Sequence, residues 1–118
     1  MKTKTGNFRI RSKIWIEDNN GKVIFGPGRL KILEAVVRLG SIHAAAKELK
    51  MSYRAVWGKI KNTEARLGKP LLIRQIGGTS GGGSELTPLC NNLIEKFSSL
   101  QAHVENEVDN LFEQAFIT

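Results

Sequence analysis

A single cysteine, Cys90, stands in 118 residues. One chain can therefore form no internal disulfide and no cysteine-based zinc cluster. In a helical setting Cys90 is expected to be a small packing residue rather than a nucleophile. Histidine is equally scarce. His43 and His103 lie far apart, and neither sits beside a carboxylate or cysteine at ligand spacing, so no metal and no cofactor is expected. Paired carboxylates at working spacing and a nucleophile with its base are also missing, which argues against an enzyme. No run approaches the ~20 apolar residues of a spanning helix. The opening MKTKTGN lacks the apolar core of a signal peptide. These absences point to a soluble cytoplasmic protein with no membrane partner.

Acidic residues are few where basic ones are many. Residues 1–76 hold 17 Lys and Arg against 5 Asp and Glu, whereas residues 77–118 hold 1 against 6. The net charge of +7 thus divides into +12 and −5. A basic body with an acidic tail suits a protein that lays one part on a polyanion and uses the other part elsewhere. The length supports one domain with a modest core and an appended dimerisation element.

The run SIHAAAKELKMSYRAVWGKIKNTEARLG, residues 41–68, reads as two short helices joined by a tight turn. That arrangement presents a helix to the major groove of double-stranded DNA. Ser41 is placed to cap the first helix, whose Ala44, Ala45 and Ala46 let a second helix come close. Lys50 and Met51 form the turn, and Ser52 caps the second helix. Val56, Ile60, Thr63 and Leu67 recur at four, three and four residues and mark its buried stripe, with Ala55 beside it. The opposite stripe carries Tyr53, Arg54, Trp57, Gly58 and Lys61. Arginine is a bidentate donor for guanine edges, while lysine suits phosphates. The alternative for this face is an ordinary basic amphipathic helix with Trp57 partly packed. His43, near the start of the first helix, is solvent-facing or structural, or touches a phosphate.

The N-terminus has a period of two. Phe8, Ile10, Ile14 and Ile16 alternate with Arg9, Arg11, Lys13, Trp15 and Glu17, which predicts a strand with one buried and one basic face. Asn20-Gly21 suits a tight hairpin turn, and Val23, Ile24 and Phe25 supply the return strand, ended by Pro27 and Gly28. From Arg29 a helix of about three turns follows, with Leu30, Leu33, Val36, Val37 and Leu39 apolar, and stops at Gly40.

Beyond Gly68 and Pro70, LLIRQI at 71–76 reads as a strand, GGTSGGGS at 77–84 as a hairpin tip, and Glu85-Leu86-Thr87 as the way back. This is where a winged helix carries its wing, with Arg74 at the base and Thr79 and Ser80 near phosphates. The glycines lack the spacing of either common nucleotide-binding loop. The flanking strand signals favour a wing over a flexible linker. Thr87 and Pro88 then open a long helix. Leu93, Phe97, Leu100, Val104, Val108 and Leu111 recur along one stripe, which is longer than so small a core needs. The excess calls for the same helix of a second subunit, and the first half is also able to pack within its own chain.

The run MSYRAVWGKIKN at 51–62, the wing GGTSGGGS and the ELT before a long helix together resemble the ModE family of molybdate-responsive transcription regulators, in its N-terminal DNA-binding domain. The likeness spans nearly the whole chain; Leu67 to Arg74 and Leu86-Thr87 are shared more loosely with LysR-type regulators. It implies an α+β winged helix-turn-helix with an N-terminal β-hairpin and a long C-terminal dimerisation helix, dividing into residues 1–87 and 88–118. It further implies a homodimer on a palindromic operator. Ser52, Tyr53, Arg54, Trp57 and Lys61 would belong to the recognition helix, Arg74 to the wing strand, and Thr79 and Ser80 to its tip. Family members resemble two-part proteins with oxyanion-binding modules after this domain. The sequence stops at Thr118 without one, which makes molybdate binding by this chain doubtful. It leaves three readings: a stand-alone short member, a fragment, or a regulator that takes its signal from a partner or from its own abundance. An architectural DNA-binding protein is the alternative function.

Overall fold

The computed structural model describes residues 8–75 and 83–116. Its elements run β1 (Ile16–Glu17), β2 (Val23–Phe25), α1 (Pro27–Leu39), α2 (Ile42–Leu49), α3 (Tyr53–Leu67), β3 (Leu72–Gln75), β4 (Gly83–Leu86) and α4 (Pro88–Phe116). This is the α+β winged helix-turn-helix order, with two small antiparallel sheets, β1-β2 and β3-β4. No described helix is long and apolar enough to cross a membrane.

The N-terminal strand is far shorter than its alternation predicts. Only Ile16 and Glu17 pair with β2, with a register irregularity between them. The return strand is three residues long. Residues 9–15 form no strand, because three residues of β2 offer too short a ladder for the alternation to use. Phe8, Trp15 and Ile16 are exposed, and only Ile14 packs on the core. Arg9, Ile10, Arg11 and Ser12 instead lie near α4, where they and Glu105, Asp109 and Phe112 line a cavity of about 350 Å³. The hairpin turn is held by Asp18, whose Oδ1 accepts the Asn20 and Lys22 amides at 2.8 and 3.0 Å. Gly21 takes the left-handed φ of +82° that the turn needs.

Helix α1 starts at Pro27, two residues before the expected start, because proline suits a first helical position with no amide bond to make. It buries Ile32, Leu33, Ala35 and Val36 and ends at Gly40 in the left-handed region. Those side chains meet Ala45 and Ala46 of α2, Val56 and Ile60 of α3, and Phe25 of β2 in one core. Gly40 also anchors the second sheet, since its carbonyl accepts the Ser84 amide at 3.0 Å. A Cβ on neighbouring Gly83 would sit 2.9 Å from that carbonyl, so this close approach requires glycine.

Strands β3 and β4 pair in register from Leu72↔Leu86 to Gln75↔Gly83. Thr87 then caps α4: its hydroxyl accepts the Cys90 amide at 3.1 Å and donates to the Pro70 carbonyl at 3.0 Å. Twenty-nine residues at about 1.5 Å each make α4 roughly 43 Å long. Its first half packs inside its own chain. Phe97 is 2% exposed and meets Phe25 edge-on with ring centroids 5.1 Å apart. Of the residues read as a dimer stripe, Phe97 is thus covered by the chain's own core, as the packing of the first half of the helix within its own chain requires. Leu93 is half-buried against the same core. Leu100 and Leu111, 49% and 59% exposed, carry the unburied apolar surface, with Val104 and Val108 half-buried between them.

Candidate nucleic-acid interface

Two serines set the helix-turn-helix. Ser41 Oγ accepts the Ala44 amide at 3.1 Å, and Ser52 Oγ accepts the Ala55 amide at 3.0 Å. Each satisfies one of the amides a helix start leaves open. Between them Lys50 takes a left-handed φ of +57°, which turns the chain tightly enough to lay α3 across α2. Val56, Ile60 and Thr63 are buried, which fixes the rotation of α3 about its axis.

That rotation leaves Arg54, Gly58 and Lys61 on the outer side. Arg54 is exposed, and a Cβ on Gly58 would meet nothing within 4 Å, so another backbone can come close there. Ala55, expected beside the buried stripe, is also exposed, since 100° per residue carries it past the core edge. Tyr53 turns to the α2 side and stacks on His43 with centroids 4.2 Å apart. Trp57 remains partly exposed, with the Lys61 ammonium 5.6 Å from its ring centroid. Lys61 also pairs with Glu64 at 3.1 Å, so its charge is partly engaged. The backbone of Arg74 lies in β3 opposite Ser84. Thr79 and Ser80 lie outside the described residues.

Residues 27–90 match the model of the bacterial regulatory helix-turn-helix proteins of the lysR family. The chain belongs to that family. Its N-terminal region is similar to the molybdenum transport protein ModE of Azotobacter vinelandii, 35% identical over 86 residues, or 73% of this chain and 32% of that protein. It is similar too to the molybdenum-pterin-binding protein MopB of Rhodobacter capsulatus, 38% identical over 79 residues, or 67% of this chain and 29% of that protein. The chain spans about a third of the length of these curated relatives. Among solved structures, a CbnR_DBD-DNA complex superposes with a TM-score of 0.57 at 27% identity, covering 75% of this chain and 95% of that one.

In this lysR-family domain two side chains that sequence periodicity did not single out, Glu64 and Arg29, position the outer face together with Thr63 of the buried stripe. Glu64 accepts the Leu71 and Leu72 amides at 2.7 and 3.3 Å, tying α3 to the start of the wing. Burial pushes its carboxyl up, but the Leu71 amide, the Lys61 ammonium and the Leu72 amide outweigh burial and hold it below the ordinary carboxylate range. On the opposite flank Arg29 Nε donates to Thr63 Oγ1 at 2.7 Å, and the Thr63 hydroxyl donates to the Ile24 carbonyl at 2.9 Å. The signal for Thr63 was present in the sequence: a hydroxyl in a buried stripe must find partners.

Proposed function

We propose that this chain is a sequence-specific transcriptional regulator of the ModE type that binds a palindromic operator in double-stranded DNA as a homodimer. Residues 1–87 act as the winged helix-turn-helix domain and residues 88–118 as the dimerisation helix. The observation that carries the reading is the outer face of α3, where Arg54 and the open backbone at Gly58 stand on a helix locked by its cap and its buried stripe. A rigid helix with an exposed guanidinium suits readout of a guanine edge in the major groove.

In this reading two copies of α3 enter successive major grooves about 34 Å apart, and the wings, with Arg74, Thr79 and Ser80, run along the flanks. The exposed Leu100 and Leu111 support α4 as the dimer contact, because an apolar stripe of this length is costly to leave in water. The names of the curated relatives set such regulation beside molybdenum. Molybdate binding by this chain is not part of the reading.

Fluorescence anisotropy on the chain's own upstream duplex and on a shuffled duplex of equal composition, at two salt concentrations and with and without molybdate, tests it. A preference of ~10³ or more for the native duplex that survives the higher salt is expected. Equal affinities for every duplex tried, falling together with salt, would establish an architectural DNA-binding protein instead.

A further inference from the structure

We propose that Arg29, Lys59 and Arg66 form a second phosphate-binding surface, which grips the DNA backbone on the flank of α3 opposite the wing. The proposal rests on the duplex-binding reading above. A helix with its side chains is about 10–12 Å across and the major groove about 12 Å wide, so both flanks of a helix seated there come close to phosphates. One flank of α3 is occupied by the wing root through Glu64. The other faces the β1-β2 hairpin, since Thr63 reaches Ile24 and Arg66 reaches Asp18 at 3.8 Å. Lys59 and Arg66 are seven residues apart on α3, so they share a stripe, about 80–100° around the helix from Gly58 and about 120–140° from Arg54.

Arg29 comes to the same flank from α1. It lines one small cleft with Lys59 and Thr63. Its guanidinium is aimed by a relay, with Nε on the Thr63 hydroxyl and that hydroxyl on the Ile24 carbonyl. The relay uses one of five N–H donors and leaves the terminal fork free for a bidentate acceptor. Among the described residues neither Arg29 nor Lys59 has a carboxylate within ion-pair distance, and Asp18 alone offsets Arg66. Partial burial, and then the charge of Arg66, hold the Arg29 guanidinium below its ordinary pKa. Three cations gathered on a pre-oriented fork with one carboxylate between them are stabilised by an incoming polyanion.

The test is salt-dependent anisotropy on the native and shuffled duplexes for Lys59→Gln and Arg66→Gln, with Lys31→Gln removing an equal charge from the exposed side of α1. Lys59→Gln and Arg66→Gln are each expected to reduce the slope of log K against log salt by about 0.9, equally on both duplexes, with Lys31→Gln unchanged. Arg66→Gln also loses the Asp18 contact, so Lys59→Gln, an exposed residue, is the arbiter, and a urea midpoint near that of the parent protein confirms its fold. An unchanged slope in Lys59→Gln, or an equal fall in Lys31→Gln, would overturn the proposal while leaving the regulator reading intact. No binding of any duplex by the parent protein would overturn both.

Discussion

Glu64 Oε2 accepts the Leu71 amide at 2.7 Å, so one carboxylate on the outer helix fixes the first strand of the wing. Removing it orphans two partly buried amides, which costs about 1–3 kcal/mol. Glu64→Ala is expected to lower stability by that amount in urea denaturation, and Glu64→Gln, which keeps an acceptor oxygen, by less. The folded-state pKa is held below the ordinary value, so the contribution is present above the unfolded carboxylate pKa and is lost as pH falls through the folded one. The parent protein should therefore lose stability on acidification below about pH 4.3 more steeply than Glu64→Gln. Parallel curves would show that Glu64 is not the titrating group.

The helix-turn-helix was legible in the sequence because its signals are local. Ser41 and Ser52 cap within three residues of themselves, and the Val56, Ile60, Thr63 stripe is read from one helix alone. The two-stage reading of α4 was only half legible. Periodicity shows that Phe97 and Leu100 share a broad stripe, but which of them the chain covers depends on Phe25, seventy-two residues earlier. The N-terminal strand failed for a related reason: alternation from Phe8 to Glu17 describes a surface, and a strand needs a partner of matching length. The roles of Glu64 and Arg29 were invisible to spacing, since their partners, Leu71 and Thr63, lie on other elements or beyond a turn.

Cys90 is fully buried, and burial, with the nearby Glu64 charge, pushes its thiol up to about 11. The thiolate is the reactive species, so the folded protein should react with a thiol reagent at pH 8 only through opening of the core. Ellman's reagent is expected to label Cys90 slowly in buffer and at once in denaturing urea. Rapid labelling of the folded protein would place the start of α4 away from the core.

The two ends of the α4 stripe are separable by mutation. Phe97→Ala removes a ring packed on Phe25 and is expected to cost about 3–5 kcal/mol of stability, measured by urea denaturation. Leu100→Asp with Leu111→Asp touches only exposed positions. The pair should leave the helix-turn-helix folded, as judged by circular dichroism, while converting dimers to monomers in sedimentation velocity. A dimer of unchanged mass in that variant would show that α4 is not the contact between copies.

Arg54 and Lys61 differ in what surrounds them, and so in what their loss should do. Arg54 is exposed, with no carboxylate partner among the described residues, so its fork is available to a base edge. Arg54→Ala is expected to reduce discrimination by about 1–3 kcal/mol at one base position of the operator. Lys61 sits between the Trp57 ring and Glu64, 3.1 Å from the carboxylate, which already neutralises part of its charge. Lys61→Ala should therefore weaken all duplexes alike and reduce the salt slope by less than the ~0.9 of a full phosphate contact. Anisotropy across single-base operator variants separates the two: a uniform loss for Arg54→Ala would remove it from base readout, and a base-specific loss for Lys61→Ala would bring Lys61 in.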